Sequence, residues 1–335
     1  MAPTRRAGRA AAVLLAAAAV VYALTGCSSG PASGPAQPPK TPKFPAARKA
    51  PPTPRHGAYF GAWVRQGPFT QPAQIAALDT LQGALGRRLD IVHTYLKWEA
   101  TFPTESVRTA LGQGSMLLLS WAGTNSEAVA AGRYDSVIRQ RALEIKATGK
   151  PIFLEWRWEM DRPNLTSLVG TPAEFIAAWR HIRAIFAQER VNNVAWVWCP
   201  TAKGFQAGGD AAAFYPGDSE VDWTCADVYP GPGPYRSFSD AAGPFLSWAS
   251  HHRKPVMIGE YGVPERYGPL LRAQWLRAAA HSAQADPQIK AMVYFDSDPV
   301  GALPGNSFAL PYGTAPMQAF QAIANRPYFN PRGRR

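Results

Sequence analysis

Pro151-Ile-Phe-Leu-Glu-Trp-Arg-Trp-Glu-Met-Asp161 decides the fold. The stretch opens as an apolar run of strand length and closes in a cluster of charge and indole. Successive side chains of a strand alternate between its two faces. Glu155, Arg157 and Glu159 are therefore predicted to share one face, and Trp156 and Trp158 the other. A carboxylate at the C-terminal tip of a strand, walled by tryptophan, is where a general acid of raised pKa can sit.

Seven further apolar runs accompany it, at 58–64, 89–98, 115–121, 193–199, 221–229, 255–261 and 289–296. Helical patterns lie between them. Ile75, Leu78, Leu81 and Leu85 form one apolar stripe, and Val137, Ile138, Arg141, Leu143 and Ile145 mark a second helix ending near Gly149. Thr171-Pro172-Ala173-Glu174 opens a third, with an N-cap threonine and proline at the first position. Segments 270–285 and 315–324 supply two more, while 200–220 is poor in helical period. Eight strands, mostly separated by helices, predict an α/β fold, a single (β/α)8 TIM barrel. A doubly wound sheet would bring a Gly-x-Gly-x-x-Gly turn if it held a dinucleotide, and none is present.

The formal net charge of +12 is unevenly placed. Eight of the 35 basic side chains lie in residues 1–55 and four in 326–335, where there are no acids; 23 basic and 23 acidic side chains remain between. The neutral body excludes a nucleic-acid footprint. Arg5, Arg6 and Arg9 precede an apolar run of about fifteen residues, short for a spanning helix, which needs about 20. The run closes on Leu24-Thr25-Gly26-Cys27, which resembles the bacterial lipobox and implies acylation of Cys27. The expected organisation is a lipoprotein signal peptide at 1–27, a Pro-rich disordered linker at 28–55, the barrel at 56–325 and a basic tail at 326–335. The expected location is extracytoplasmic, lipid-anchored to the membrane at the cell envelope.

A barrel carries its site at the C-terminal ends of its strands. That rule selects Trp63, Trp98, Trp121, Trp158, Asp161, Trp198, Asp227, Tyr229, Tyr294 and Asp296 as lining, beside Glu159. Six of the eight predicted strand ends pair an aromatic with a polar group, as a sugar-lined cleft would. Glu260, between Gly259 and Gly262 in the seventh run, is the second carboxylate. Strands four and seven lie on opposite sides of an eight-stranded barrel, so the two glutamates can face each other across its mouth. Arg157 is expected either to keep a neighbouring carboxylate ionised or to bridge to Glu155. His93 is expected inside the barrel as a hydrogen-bonded core residue. No Gly-x-Ser-x-Gly elbow, His-Glu-x-x-His pair or zinc-spaced Cys/His set occurs, so no metal and no cofactor is expected. Cys199 and Cys225 fall on neighbouring strands, and both a disulfide and two buried thiols remain open.

The chain resembles glycoside hydrolase family 26, the mannanase-type family of clan A. The resemblance is carried by Trp158-Glu-Met-Asp161, Asn193-Val-Ala-Trp-Val-Trp-Cys-Pro200, Tyr215-Pro-Gly-Asp218 with Val221-Asp-Trp-Thr-Cys-Ala-Asp-Val-Tyr229, and Gly259-Glu-Tyr-Gly262. It implies a retaining mechanism, with Glu159 as acid/base, Glu260 as nucleophile and Tyr229 hydrogen-bonded to the nucleophile. Asp227 sits in the same strand-six motif. The family's histidine before the acid/base is Trp158 here, and the asparagine two residues after it is Asp161. The implied partner is a β-linked polysaccharide, of mannan, β-glucan or xylan type, attacked by a monomer. A glycan-binding barrel without turnover and a transglycosylase with the same two carboxylates are the alternatives.

Overall fold

The computed structural model describes residues 50–65, 68–297 and 305–333; Cys27, the targeting segment and most of the expected linker lie outside them. Eight strands form one closed barrel: β1 (Tyr59–Arg65), β2 (Ile91–Leu96), β3 (Met116–Trp121), β4 (Ile152–Trp156), β5 (Val194–Trp198), β6 (Trp223–Val228), β7 (Val256–Tyr261) and β8 (Ile289–Ser297). Each pairs in parallel with its neighbours in chain order, and β8 returns to β1. The (β/α)8 barrel read from the eight apolar runs is the observed architecture.

The helices in chain order are α1 (Gln71–Leu85), α2 (Glu105–Gly112), α3 (Ser126–Ala130), α4 (Asp135–Thr148), α5 (Thr166–Val169), α6 (Pro172–Gln188), α7 (Phe238–Ala249), α8 (Gly268–Ala285) and α9 (Ala315–Ala324). α6 begins in a full capping box, Thr171 and Glu174 each bonding the other's backbone N–H. Helices α2, α3 and α5 carry no clear apolar stripe in the sequence, whereas His251-His252 marks the end of α7. α7 contains Gly243-Pro244, which reads as a break, since an interior proline costs a helix roughly 3 kcal/mol. Burial of Phe238, Ala241, Ala242 and Phe245 on one face offsets that cost. The 200–220 connection holds only three short 3₁₀ turns, in keeping with its missing period.

Outward strand residues pack under the helices. Trp156 stacks on Phe175 of α6 at 5.3 Å, and fully buried Trp179 touches both. Truncating Trp179 to alanine is expected to cost roughly 3–5 kcal/mol. The inward residues change character along the barrel axis. Tyr59, Phe153, Trp223 and Met257 make an apolar lower layer. Nearer the C-terminal ends His93, Ser120, Glu155 and Asp227 replace it, all buried. Below, Ala50 packs on the inward cluster, Pro51 and Pro54 are buried, and the Tyr59 hydroxyl donates to the Pro52 carbonyl at 2.9 Å. Beyond residue 325, Phe329 is fully buried beside Phe60.

Candidate active site

β7 aims one carboxylate into the barrel mouth by breaking its own alternation. Met257 faces inward, and Val256 and Ile258 face outward. Strict alternation would turn Glu260 outward. The pairing with β6 instead steps from Ile258 opposite Ala226 to Glu260 opposite Asp227, leaving Gly259 as an extra residue. This is a β-bulge, a device that re-aims side chains at barrel rims. Beyond it Glu260 points to the mouth and Tyr261 packs outward against Trp275. A Cβ on Gly259 would lie 2.5 Å from Cys225 Sγ and 2.9 Å from Cys199 Sγ, so only glycine fits. Those sulfurs form a disulfide that joins the residue following β5 to the middle of β6.

Glu260 is held from both sides. The Tyr95 hydroxyl donates to Oε1, and the Tyr229 hydroxyl donates to Oε2 at 2.6 Å. Burial, followed by the charge of Glu159, pushes the Glu260 carboxyl up to about 7; the two tyrosine hydrogen bonds and Arg162 oppose that rise. Gly262 makes room for Tyr229: a Cβ there would meet the Tyr229 ring at 3.0 Å and Phe308 at 2.9 Å. Tyr229 stacks on Phe308 at 4.8 Å, which fixes the hydroxyl's approach.

Glu159 is reached differently. β4 ends at Trp156, and the alternation expected through residue 159 stops there. Arg157 and Glu159 both take left-handed backbone, φ 53° and 51°. Such conformations cost about 1–3 kcal/mol each away from glycine and persist where surroundings impose them. Here the Arg157 N–H bonds the Trp121 carbonyl at 3.0 Å and the Glu159 N–H bonds Cys199 O at 2.7 Å. Arg190, also left-handed, merely follows the end of α6 and marks no site. Trp158 therefore lies over Tyr95, ring centres 5.2 Å apart, and does not share a face with outward-packed Trp156. Arg162 forms an ion pair with Glu159 at 2.6 Å. Burial raises the Glu159 pKa, and Arg162 opposes the rise.

Arg157 bridges to neither Glu155 nor Glu159. Its stem lies over Gly123, and its Nε and Nη2 are buried without a hydrogen-bond partner. Glu155 is instead bonded by Ser120, whose hydroxyl also meets His93 Nε2 at 2.6 Å. Burial lowers the His93 pKa to about 3, so the imidazole is neutral. Burial also lifts Glu155 and Asp227 well above the carboxylate range. Glu155, Asp227 and the two cysteine sulfurs gather within 4.8 Å, but disulfide sulfurs are not thiolate ligands, so the group does not fit a metal.

The aromatic candidates divide by strand parity. Trp63 faces inward beside Tyr95, 5.0 Å between ring centres. Trp121, Trp198 and Tyr294 face outward, fully buried, and line no cleft. Trp121 stacks on Trp98 at 4.2 Å, so Trp98 too belongs to the layer under the helices. Trp198 donates to the Phe214 carbonyl, and Tyr294 donates to the Phe308 carbonyl. Asp296 is fully buried and its Oδ1 accepts from the Leu310 N–H at 2.7 Å, fastening the loop after β8. Asp161 accepts from the Thr201 N–H at 2.8 Å and from its hydroxyl, clamping the loop after β5. The residues missed are Tyr95, Arg162 and Phe308; Phe295 lies at the eighth strand end but its neighbours Tyr294 and Asp296 were selected as lining in its place. Counting every second residue from Ile91 through His93 would have found Tyr95, and from Ala291 through Val293, Phe295. With Trp63, Trp158 and Tyr229 these rings make an aromatic wall around Glu260.

No protein-family model matches the chain. It is 29% identical over 256 residues to Endoglucanase H of Acetivibrio thermocellus, covering 71% of this chain and 28% of that protein. It is 28% identical over 142 residues to a β-1,3-xylanase of Alcaligenes sp., covering 42% of this chain and 28% of the relative. The chain thus spans little more than a quarter of the length of these relatives. Among solved structures it superposes on a modular endo-β-1,4-mannanase of Cellulomonas fimi from glycoside hydrolase family 26, with TM-score 0.61, 19% identity, 81% of this chain and 71% of that one. The catalytic domain of a family 26 endo-β-1,4-mannanase from Bacillus sp. JAMB-750 gives 0.59 at 17% identity, 81% of this chain and 86% of that one. At these identities the likeness establishes a shared barrel.

Proposed function

We propose that this chain is a glycoside hydrolase of the family 26 type, cleaving β-linked polysaccharide with retention of configuration. The observation that carries the proposal is Glu260, turned into the mouth by the Gly259 bulge, held by Tyr95 and Tyr229, and electrostatically coupled to Glu159. The aromatic wall suits the apolar faces of sugar rings. The similarity to an endoglucanase, a β-1,3-xylanase and endo-β-1,4-mannanases favours a polysaccharide backbone, β-linked in the latter two.

In this mechanism ionised Glu260 attacks the anomeric carbon while Glu159 gives its proton to the leaving oxygen. The glycosidic bond breaks and an ester to Glu260 forms. Glu159, now a base, takes a proton from water, which attacks the same carbon and frees Glu260. Retention requires the two carboxyls to lie about 5–5.5 Å apart. Reducing-end release from mannan, mixed-linkage β-glucan, β-1,3-xylan and β-1,4-xylan tests the activity. Failure on every β-linked polymer, with the Glu260→Ala protein binding them as well as wild type, would leave a binding protein and end the hydrolase reading.

We further propose that Cys27 is acylated and tethers the enzyme outside the cytoplasm, on the strength of Leu24-Thr-Gly-Cys27 after a basic and apolar leader. Cys27→Ala is expected to release the protein from membrane fractions. Continued partition of that variant with membranes would refute the tether.

A further inference from the structure

We propose that the glycan carries an anionic substituent, a carboxylate or a phosphate ester, and that Arg157 receives it at the mouth of the barrel. This inference rests on the glycosidase reading for its substrate and on Arg157 for its chemistry.

Arg157 lies two residues before Glu159, on the same left-handed turn at the tip of β4. It is 7% exposed. Its aliphatic stem covers Gly123 in the loop after β3, where an added Cβ would stand 3.0 Å from Arg157 Cδ. Nε and Nη2 are buried and bond to nothing. Among the described residues the other two buried arginine heads are engaged, although Arg141 Nε also lacks a partner. Arg141 pairs with Glu144 and the Ala100 carbonyl, and Arg272 holds the carbonyls of Val263, Phe308 and Ala309. Among the described residues Arg157 makes no ion pair, and no acid there offsets the burial that lowers its pKa.

A guanidinium stays charged under all ordinary conditions. A buried, unpaired one is costly, because lost hydration is not replaced. The nearest strand-tip acids do not replace it. Glu155 is bonded by Ser120, and Glu159 is paired with Arg162. Burial also holds Glu155 and Asp227 toward their neutral forms, so the interior beneath Arg157 does not balance its charge. Nε–H and Nη2–H lie on one edge of the guanidinium plane and point the same way. That edge matches two oxygens of a carboxylate or a phosphate. Hydroxyl groups of a neutral sugar would satisfy single N–H groups but leave the charge unpaired. The backbone strain at this turn is consistent with a side chain placed for a ligand at the expense of local comfort.

The experiment compares xylo-oligosaccharides bearing a glucuronate branch, phosphorylated manno-oligosaccharides and the unsubstituted counterparts of each. Calorimetric binding to the Glu260→Gln protein is expected to favour one acidic series by roughly 10–100-fold, the range of a charge-assisted bidentate bond. Preference for the glucuronate series identifies a carboxylate, and preference for the phosphorylated series a phosphate. Introducing Arg157→Met, which keeps the stem's packing, is expected to abolish that preference. Arg157→Lys, a point charge without the planar edge, is expected to restore part of it. Near-ultraviolet circular dichroism checks that the variants are folded; if Met does not fold, the Lys variant and the salt dependence of wild-type binding decide, and a salt-insensitive preference sinks the proposal. Equal binding of acidic and neutral oligosaccharides overturns it. Neutral and acidic polymers hydrolysed at the same rate would also overturn it while sparing the glycosidase reading. Acidic binding without hydrolysis of any polymer would sink the glycosidase reading and leave the anion site standing.

Discussion

Glu159 and Glu260 are the same side chain held by opposite means. Glu260 belongs to a strand, sits 7% exposed behind a bulge, and is gripped by two tyrosine hydroxyls. Glu159 has left its strand, stands on strained backbone, and meets an arginine whose side chain is 49% exposed. Neutral donors fix a position without removing the need for charge. A solvent-exposed cation adjusts charge without fixing much. The difference suits the proposed roles: a nucleophile held still by neutral donors, and an acid/base whose charged partner lets it change protonation.

The largest test of this contrast removes the fixed member. Glu260→Ala leaves no group to form the glycosyl ester, and turnover on any substrate is expected to fall on the order of 10⁴-fold or more. Glu159→Ala removes proton transfer alone, worth roughly 10²–10⁴-fold. With an aryl glycoside whose leaving group needs no protonation, that variant is expected to form the ester quickly and then stall. Azide should relieve the stall and give a glycosyl azide of retained configuration. Product analysis by NMR checks both, and an inverted product would reverse the assigned roles.

How far the site could be read in advance depended on whether each strand kept its period. Along β2, β3 and β8 from Ala291 onward alternation holds, and the eight runs sufficed for the barrel. The errors there came from choosing strand-end aromatics without counting parity. Trp121 and Tyr294 are in phase with outward Leu117 and Met292, and so pack under helices. Along β4 and β7 the period fails at the functional residues themselves. Nothing local announces that Gly259 is a bulge; the reason is the Cys199–Cys225 disulfide that fills the space beside it, a contact between strands distant in sequence. Nor could alternation foresee the left-handed turns at Arg157 and Glu159, which hydrogen bonds from neighbouring strands impose. The Arg162 ion pair, three residues beyond Glu159, follows from that turn and was invisible while the strand was extended through it.

A finer test loosens the grip on Glu260. The Tyr229 hydroxyl donates to the carboxylate and so favours its ionised form. Tyr229→Phe deletes one charge-assisted bond, worth about 1.5–3 kcal/mol, or roughly one to two pH units. The folded Glu260 carboxyl, already up to about 7, should rise further. The proposed mechanism needs Glu260 ionised, so the acid limb of kcat/KM is expected to move to higher pH with the plateau reduced. Because Glu159 and Glu260 interact, the profile reports the pair, and the direction of movement is the measurement. An unmoved acid limb would mean that Tyr229 only packs against Phe308.

The smallest expected effect comes from the exposed partner of the other carboxylate. Arg162 stabilises ionised Glu159, whereas an acid catalyst must hold its proton until the leaving oxygen takes it. Arg162→Met removes that attraction, so the Glu159 pKa should rise. Protonated Glu159 then persists to higher pH, and the alkaline limb of kcat/KM is expected to shift upward. The arginine is half in water, where exposed pairs contribute only about 0–1 kcal/mol, so the shift should stay below about one unit. It should shrink further in salt, which screens the wild-type pair and not the methionine variant. The acid limb, set by Glu260, should move far less, since Arg162 is only a minor influence there. A variant that moved both limbs equally would show one shared electrostatic environment, and the contrast between a fixed nucleophile and an adjustable acid would fail.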